Sequence, residues 1–323
     1  MGNALVDVLA IIDNDKKLDT LGLPKGSMQL IDEKKFTELS KEIHKLDTNI
    51  VSGGSAANTI VGLACLDIET GFIGRVGNDS FGEYYRDDLI KYNVRPLLSI
   101  AEETSGVATT FISKDGERTF GTYLGAAALL KPDDLTDDLF EGYDYFYIEG
   151  YLVQNYDLIR KAIALAKKAG AKVILDFASY NVVEESKDFL IKIIPNQVDI
   201  IFANEEEAKA LYGIGPEEAV SKLAKITDIA IVKAGSNGSW IQRGKDKILV
   251  KANNIKRTDS TGAGDLYAAG FIFGLINKLP LEECGHIGSL LAESVIQVIG
   301  PKIETDKWVA IRQEIDNILK KRF

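Results

Sequence analysis

Short apolar runs typical of β-strands recur along the chain, and in its second half they alternate with helical patterns. In the stretch 157–169, for example, Leu158, Ala162 and Ala166 recur at the spacing of one helix face. Strands that alternate with helices predict a mostly parallel sheet covered on both faces, which is typical of the α/β class. The strand-type runs lie at residues 4–12, 71–76, 107–113, 143–148, 172–177, 198–203 and 230–232.

Two segments break this alternation and predict a small additional sheet. Residues 13–49 contain the turn-rich LGLPKGSM followed by a helical pattern, and residues 107–123 have the pattern of a strand, a DGER turn and a second strand. We expect one domain over residues 1–323 in which these two segments form a lid. The end of the chain predicts helices at 264–277, 281–299 and 305–321.

The composition is that of a globular protein, and the charge narrows the classes of partner. Of 323 residues, 46% are hydrophobic and 27% are charged, which suffices to bury a large core. The formal net charge of −10 opposes unspecific binding to nucleic acid or to anionic membranes, so we expect neither as a partner. An acidic protein that binds a phosphate-bearing ligand must build a local anion site from backbone amides and a few cations.

The N-terminal segment and the cysteines predict the compartment. The apolar run near the start is short, follows no basic residue and is interrupted by Asp7, so it resembles neither a signal peptide nor a spanning helix. Cys65 and Cys284 lie far apart and have no CxxC or histidine-rich companion, which predicts neither a disulfide framework nor a zinc site. We therefore expect a cytoplasmic protein.

The segment 259–265, DSTGAGD, places small residues and an acid directly before an apolar helix. Gly262, Ala263 and Gly264 leave the first amides of that helix uncovered, and these amides with the helix dipole attract an anion such as a phosphoryl group. Asp265 falls in the first turn, within reach of a hydroxyl presented to the same phosphoryl group. Alone, the motif fits equally well an acid that only complements the helix dipole and glycines that only permit tight packing.

A second set of candidates lies near the N-terminus. Gly53 and Gly54 allow a ligand to approach the backbone, and Asn58 both donates and accepts hydrogen bonds, as sugar hydroxyls require. Asp7 interrupts an apolar strand, so its carboxylate must be paired or must lie at the sheet end where α/β proteins bind ligands. An ordinary helix start and a structural Asp explain the same residues.

In order and separation, GGSAAN (53–58), IGRVGNDSFG (73–82) and DSTGAGD (259–265) resemble the signature regions of the ribokinase or phosphofructokinase-B (PfkB) family of carbohydrate kinases. NEEE (204–207) and KAGSNG (233–238) resemble the NxxE motif and the nucleotide-site loop of that family, so the resemblance covers essentially the whole chain. It implies a ribokinase-like three-layer α/β sandwich with a mostly parallel central sheet and a small β lid. It also implies an ATP-dependent phosphotransferase with an alcohol group as acceptor.

The resemblance implies a role for each matched residue. Asp265 matches the catalytic base of the family, and the amides of its three preceding residues match the anion hole: Gly262, Ala263 and Gly264. The positions that match the sugar contacts are Asn3, Asp7, Gly54 and Asn58. Asp7 and Asn58 are expected on the main domain, beneath the lid.

The resemblance also implies ATP and Mg²⁺ as cofactors. Asn204 and Glu207 match the residues that organise magnesium, with water as the expected bridge, and Asn204 also counts among the nucleotide-binding positions. The other positions that match the nucleotide site are Lys233, Gly235 and Gly238. Relatives often carry a hydroxyl residue where this chain has Lys233, which leaves open whether the lysine reaches a phosphate or faces solvent. Asp259, Thr261 and the turn at Gly300 match part of a monovalent-cation site, so K⁺ is a further candidate.

Within the family, GNALVD (2–7), LGLPKGSMQLID (21–32) and GERTFGTYLGAA (116–127) resemble adenosine kinases and their bacterial relatives. This favours a nucleoside as substrate, phosphorylated at its 5′-hydroxyl. The candidates for an apolar slot that holds the base, with lid packing as the alternative role, are Met28, Phe120 and Tyr123. A kinase for a free sugar such as fructose or ribose remains the alternative, and a non-catalytic nucleoside or sugar sensor is a remote one. Some relatives pair through their lids and others are monomers, so both states stay open.

Overall fold

The structure is a computed structural model that describes residues 1–320. The strands are β1 Leu5–Ile11, β2 Met28–Leu30, β3 Thr48–Gly53, β4 Thr70–Gly77, β5 Val94–Ala101, β6 Gly106–Ile112, β7 Arg118–Tyr123, β8 Tyr145–Glu149, β9 Lys172–Asp176, β10 Ile200–Asn204, β11 Ile229–Lys233, β12 Ser239–Arg243 and β13 Asp246–Val250. The helices are α1 Lys16–Thr20, α2 Glu33–Ile43, α3 Ser55–Ala64, α4 Ser80–Lys91, α5 Tyr156–Lys168, α6 Tyr180–Glu185, α7 Lys187–Ile193, α8 Glu205–Tyr212, α9 Pro216–Leu223, α10 Ala263–Ile276, α11 Leu281–Val295 and α12 Lys307–Lys320. None of the helices formed by residues 1–320 is long and apolar enough to span a membrane.

The chain divides into two compact units. Unit 1 comprises residues 1–2 and 58–70 together with the described residues from 131 onward, and unit 2 comprises residues 3–57 and 71–130. Both segments that predict a lid fall in unit 2.

Unit 1 is built on a six-stranded sheet in the order β13-β12-β11-β10-β9-β8. Strands β8 to β11 run parallel, and β12 and β13 continue the sheet in antiparallel fashion. The sequences of β9, β10 and β11 are apolar and almost wholly buried, as expected for parallel strands that are covered on both faces. The predicted α/β class is confirmed.

Helix α10 lies in the core of unit 1 because its sequence, AGDLYAAGFIFGLI, is apolar on all sides beyond the first turn. Phe271 packs edge-on against Phe202 of β10, with 5.5 Å between the ring centroids. On the α11 side, Gly270 and Gly274 lie so close to α11 that a side chain at either position would collide with it. Burial on all sides fixes the position of the first turn of α10, where Asp265 lies.

Unit 2 is built on a five-stranded sheet in the order β2-β7-β6-β1-β3, and it also contains the strand pair β4-β5. Helices α2 and α4 cover one face of the larger sheet, where Phe36 and Phe81 meet Val8, Ile50 and Val107 around a cavity of about 70 Å³. Because side chains alternate along a strand, the residues between those positions point to the other face. We call this the Asp7 face and define it by Asp7, Leu9, Thr110, Phe120 and Met28.

The position of β1 differs from our expectation. We expected Asp7 on the main domain, but β1 pairs with β3 and β6 in the sheet of unit 2. An apolar strand sequence predicts a strand without saying which sheet it joins, since partner strands far along the chain decide that.

The boundaries of other elements also differ. The strands β2, β3, β5, β12 and β13 were not predicted, because their sequences carry exposed polar residues or short alternations. The predicted helix 281–299 ends at Val295, where Ile296 caps α11. The predicted helix 305–321 is α12, and Lys321 lies outside the described residues.

Replacement of Gly270 tests the packing of α10 on α11. A β-carbon at Gly270 would lie 2.5 Å from the carbonyl oxygen of Ile287. At an open helix position Gly→Ala stabilises by roughly 0.5–1 kcal/mol, but here we expect a loss of about 1–3 kcal/mol from overpacking. Chemical denaturation of Gly270→Ala measures the sign. The control is Gly215→Ala at the N-cap of α9, where a β-carbon meets no atom within 4 Å and we expect only the loss of a favoured N-cap residue, below about 1 kcal/mol. A stabilised Gly270→Ala would contradict this packing.

Candidate active site

The carboxyl edge of the sheet in unit 1 carries a polar residue at the end of each parallel strand. Strands β8, β9, β10 and β11 end at Glu149, Asp176, Asn204 and Lys233. The register pairs Glu149 with Asp176 and Asn204 with Lys233, so these residues lie side by side. Ligands of α/β sheets bind at this edge.

The DSTGAGD turn forms the start of α10. Gly262 adopts a left-handed conformation with φ 77° and packs on Pro301, where a β-carbon would lie 2.9 Å from its Cα. No side chain among residues 1–320 caps the helix, so its positive end is available to an anion. The amide of Ala263 donates to the carbonyl of Ser260 at 3.2 Å. Of the three amides predicted to form the anion hole, those of Gly262 and Gly264 are therefore the better candidates.

Asp259 fixes this turn from within the chain. Its Oδ1 accepts hydrogen bonds from the amide and the hydroxyl of Thr261, at 3.0 and 2.8 Å. Its Oδ2 accepts one from the amide of Gly300 at 2.8 Å. The carboxylate therefore ties the start of α10 to the turn that follows α11.

The structure brings Asp265 together with Asn58. The amide nitrogen Nδ2 of Asn58 donates to Oδ2 of Asp265 at 2.9 Å, and the hydroxyl of Thr59 donates to the Asp265 carbonyl at 3.2 Å. Asn58 is buried, and its Oδ1 has no hydrogen-bond partner among residues 1–320. Buried polar atoms are almost always paired, so an unpartnered amide oxygen beside a carboxylate points to a donor supplied by a ligand.

Lys233 lies against the same turn. Its ammonium nitrogen is 3.3 Å from Oδ2 of Asp176 and would be 3.1 Å from a β-carbon placed on Gly264. Burial lowers the pKa of Lys233, but the charges of Asp176, Glu207 and Asp265 raise it by more, so the net shift is upward. The lysine is therefore a charged group inside the site and does not face solvent.

Asn204 and Glu207 form a capping box at the start of α8. The side chain of Asn204 accepts from the amides of Glu206 and Glu207, and the two carboxylate oxygens of Glu207 accept from Nδ2 and the amide of Asn204. Burial, followed by the charge of Asp176, raises the pKa of Glu207 to about 7. Among residues 1–320 no cluster of three or more His, Cys, Asp or Glu side chains could hold a metal directly. The role of Asn204 and Glu207 toward magnesium stays a prediction.

A cleft of about 610 Å³ opens beside the first turn of α10. Five predicted residues line it: Lys233, Gly235, Gly238, Ala263 and Gly264. Gly238 has φ 93° and turns the chain into β12 close to Val250, whereas a β-carbon on Gly235 would meet no atom within 4 Å. Arg257, which the sequence did not single out, adds a cation to the lining.

In unit 2 the Gly-Gly pair lies beneath Asp7 and Asn3. A β-carbon on Gly53 would overlap the carboxylate of Asp7, and one on Gly54, which has φ 95°, would overlap the carbonyl of Asn3. Asn3, Asp7 and Gly54 thus lie near one another in unit 2, whereas Asn58 belongs to unit 1, and their role as sugar contacts stays a prediction.

One of the three candidates for the base slot, Tyr123, has the alternative role of packing within unit 2. Tyr123 points to the helix-covered face and stacks on Phe36 of α2, with 4.8 Å between the ring centroids. Phe120 and Met28 are register neighbours on the Asp7 face, and Met28 is 55% exposed. The spacing alone could have separated them, because residues 120 and 123 point to opposite faces of one strand.

The IGRVGNDSFG segment serves the fold of unit 2. Asp79 caps α4 by accepting from the amide of Gly82 at 2.8 Å, and it also accepts from the amide and the hydroxyl of Ser105. These hydrogen bonds give Asp79 a structural role in unit 2.

Sequence reasoning missed Glu149 and Asp176. Both are buried, and each ends an apolar strand as its only acid. An acid at the last position of an apolar strand was the available signal, whereas Asp7 was found because it interrupts an apolar strand.

Three comparisons with known proteins bear on the site. The model of the family described as pfkB family carbohydrate kinase matches residues 25–308. The structure resembles that of an adenosine kinase from Sinorhizobium meliloti, with a TM-score of 0.86, 34% identity and 97% of each chain covered. It also resembles a probable sugar kinase from Rhizobium etli, with a TM-score of 0.86 and 32% identity over 97% of this chain and 96% of that one. The adenosine kinase of Saccharomyces cerevisiae is 28% identical over an alignment that covers 95% of this chain and 96% of that protein.

The raised pKa of Glu207 predicts a pH-dependent stability. Because the folded chain binds the proton of Glu207 more tightly, this group stabilises the fold fully below its unfolded pKa of 4.5. That contribution to the free energy of unfolding is lost as the pH rises through about 7. Glu207→Gln removes this titration, so between pH 5 and 8 it should gain roughly 1–3 kcal/mol relative to the parent chain. Urea denaturation at both pH values measures the difference. Glu206→Gln, at an exposed position of the same turn, is the control, and equal pH profiles for Glu207→Gln and the parent would contradict the assignment.

Proposed function

The chain belongs to the pfkB family of carbohydrate kinases, and we propose that within this family it phosphorylates the 5′-hydroxyl of a nucleoside related to adenosine. Family membership makes it an ATP-dependent phosphotransferase that acts on a hydroxyl group. The identity of the acceptor and the roles of the individual residues are the proposal.

The observation that carries the proposal is the contact between Asp265 and Asn58. Asp265 lies in the first turn of α10, and Asn58 holds one of its carboxylate oxygens while its own buried Oδ1 has no partner among residues 1–320. A substrate hydroxyl that donates to Asn58 supplies the missing partner. A second hydroxyl beside Asp265 has a carboxylate to receive its proton.

The proposed reaction transfers the γ-phosphoryl group of ATP to the acceptor hydroxyl. Asp265 accepts the proton of the acceptor hydroxyl while the oxygen forms a bond to the γ-phosphorus of ATP, and the bond between that phosphorus and the β–γ bridging oxygen breaks to release ADP. The uncapped start of α10, with the amides of Gly262 and Gly264, receives the negative oxygens of the transferring group. Gly235 and Gly238 border the cleft of about 610 Å³ that we assign to ATP.

Asn204 and Glu207 are the residues that we assign to magnesium. The buried Glu207 carboxylate lies close enough to Asp176 to have its pKa raised, so the two acids form a negative pocket that a hydrated cation would stabilise. When bound, Mg²⁺ neutralises the phosphate oxygens. The turn tied by Asp259 remains a candidate for K⁺ on the resemblance alone.

The Asp7 face of unit 2 favours a nucleoside over a free sugar. It combines the carboxylate of Asp7, which suits hydroxyl groups, with Leu9, Phe120 and Met28 in adjoining positions, which suit a flat apolar base. Thr110 lies in the same row and is fully buried, and its hydroxyl has no partner among residues 1–320. Adenosine kinases among the relatives agree with this choice. The probable sugar kinase keeps a free sugar such as fructose or ribose as the second candidate.

A panel of acceptors tests the proposed substrate. We expect adenosine or a close purine nucleoside to show the highest kcat/KM in a coupled assay of ADP release, with inosine, ribose and fructose as competitors. A site that requires the base should discriminate against ribose by roughly 10-fold or more. Higher kcat/KM for fructose or ribose than for any nucleoside would reject the nucleoside assignment, and transfer to none of them would favour a sensor.

Replacement of Asp265 tests the proton acceptor. Asp265→Asn should lower kcat by roughly 10²- to 10⁴-fold, with much smaller changes in substrate binding, because the amide can still contact Asn58 but cannot take a proton. Asp157→Asn is the matched control, since Asp157 is also an acid in the first turn of a helix. If both variants keep near-normal turnover, Asp265 only complements the helix dipole.

A further inference from the structure

Lys233 and Asp176 form a buried ion pair; the resemblance places Lys233 at the nucleotide site without saying what it contacts, and it gives no role to Asp176. Their side chains are 17% and 5% exposed, and Nζ of Lys233 lies 3.3 Å from Oδ2 of Asp176. Buried ion pairs cost desolvation energy and are weak evidence for stability, so their presence at a site invites a functional explanation. Both residues end strands at the carboxyl edge of the sheet in unit 1.

The ammonium group is directed at the start of α10. A β-carbon on Gly264 would lie 3.1 Å from Nζ of Lys233, so the lysine occupies the space that a side chain at position 264 would need. The same two residues line the cleft of about 610 Å³. The positive charge of Lys233 and the positive end of α10 therefore meet at one point of the cleft wall.

Asp176 holds the lysine in that position. Its Oδ2 also accepts from the hydroxyl of Tyr147 at 3.0 Å, which fixes the carboxylate between two donors. Nζ of Lys233 also lies 5.9 Å from the centre of the Phe202 ring. A cation held by a carboxylate and an aromatic ring needs no reorganisation when an anion arrives.

We propose that Lys233 is a catalytic residue that donates a hydrogen bond to the transferring γ-phosphoryl group, and that Asp176 is the residue that positions it. The inference rests on the proposed phosphoryl site at the start of α10 and not on which acceptor is used. It explains how a chain with a net charge of −10 gathers positive charge where a phosphoryl group would sit. The compact charge of lysine suits a single phosphoryl oxygen.

Nucleotide binding without an acceptor tests the role of Lys233. By calorimetry with Mg²⁺ present, Lys233→Met should weaken binding of the β,γ-imido analogue of ATP by roughly 10- to 100-fold more than it weakens binding of ADP, because only the analogue carries a γ-phosphoryl group. Lys233→Arg keeps the charge and should restore most of the preference. An equal loss for both nucleotides, or no loss, would overturn the role of Lys233. This readout is independent of the acceptor, so failure of the nucleoside assignment would leave it intact.

A double-mutant cycle tests the role of Asp176. Asp176→Asn should lower the affinity for the ATP analogue and kcat several-fold in the parent chain, and should have no further effect in the Lys233→Met background, because it acts only through the lysine. Additive effects would overturn the positioning role. If Lys233→Met alone does not fold because it leaves Asp176 unpaired, the double variant with Lys233→Met and Asp176→Asn replaces it. We expect this double variant to lose more affinity for the ATP analogue than for ADP.

The matched control is Lys167→Met. It removes a second ion pair of unit 1, in which Nζ of Lys167 lies 3.1 Å from Oδ2 of Asp199. Asp199 precedes β10 and so lies at the amino edge of the same sheet, whereas Asp176 lies at the carboxyl edge. Lys167→Met should leave the preference for the ATP analogue over ADP unchanged. If Lys167→Met and Lys233→Met lower this preference equally, the loss of any ion pair explains the effect, and the role of Lys233 is overturned.

Discussion

The fixed position of the first turn of α10 is the constraint on which the rest of the site depends. The helix is apolar on every side beyond that turn, and glycines at 270 and 274 let it pack closely on α11. A helix held in this way cannot shift or rotate without opening the core. Its uncapped end and Asp265 therefore keep their position at the edge of the sheet, and Asp259 holds the preceding turn in place.

Charge at this edge is arranged locally, against the net charge of the chain. The charges of Asp176, Glu207 and Asp265 all act on Lys233, and the pKa of Glu207 rises to about 7 because burial and Asp176 disfavour its charged form. The charges of these residues do not balance one another. A bound nucleotide would add negative phosphate oxygens at this place, and its divalent cation would add positive charge. The arrangement is costly for stability and is therefore better explained by ligand binding than by folding.

Much of this was predictable from the sequence, and the exceptions have definite physical reasons. Apolar runs that alternate with helical patterns identified β8 to β11, and DSTGAGD identified the start of α10 with Asp265. The sequence could not show that Asn58 contacts Asp265, since 207 positions separate them in the chain. Nor could the apolar pattern of β1 show that Asp7 joins the sheet of unit 2, because register and partner are set by distant strands. Asp176 and the inward direction of Lys233 become visible only when neighbouring strand ends lie side by side.

The central proposal is that the 5′-hydroxyl of a nucleoside, next to Asp265, receives the γ-phosphoryl group of ATP. The most direct measurement is the proton-coupled ³¹P NMR spectrum of the product formed from ATP and adenosine. A new phosphate monoester signal split into a triplet by the two 5′ hydrogens, formed by the parent chain and suppressed in Asp265→Asn, is the predicted result. A doublet, which indicates transfer to a ring hydroxyl, or inorganic phosphate as the sole product besides ADP, would contradict the account.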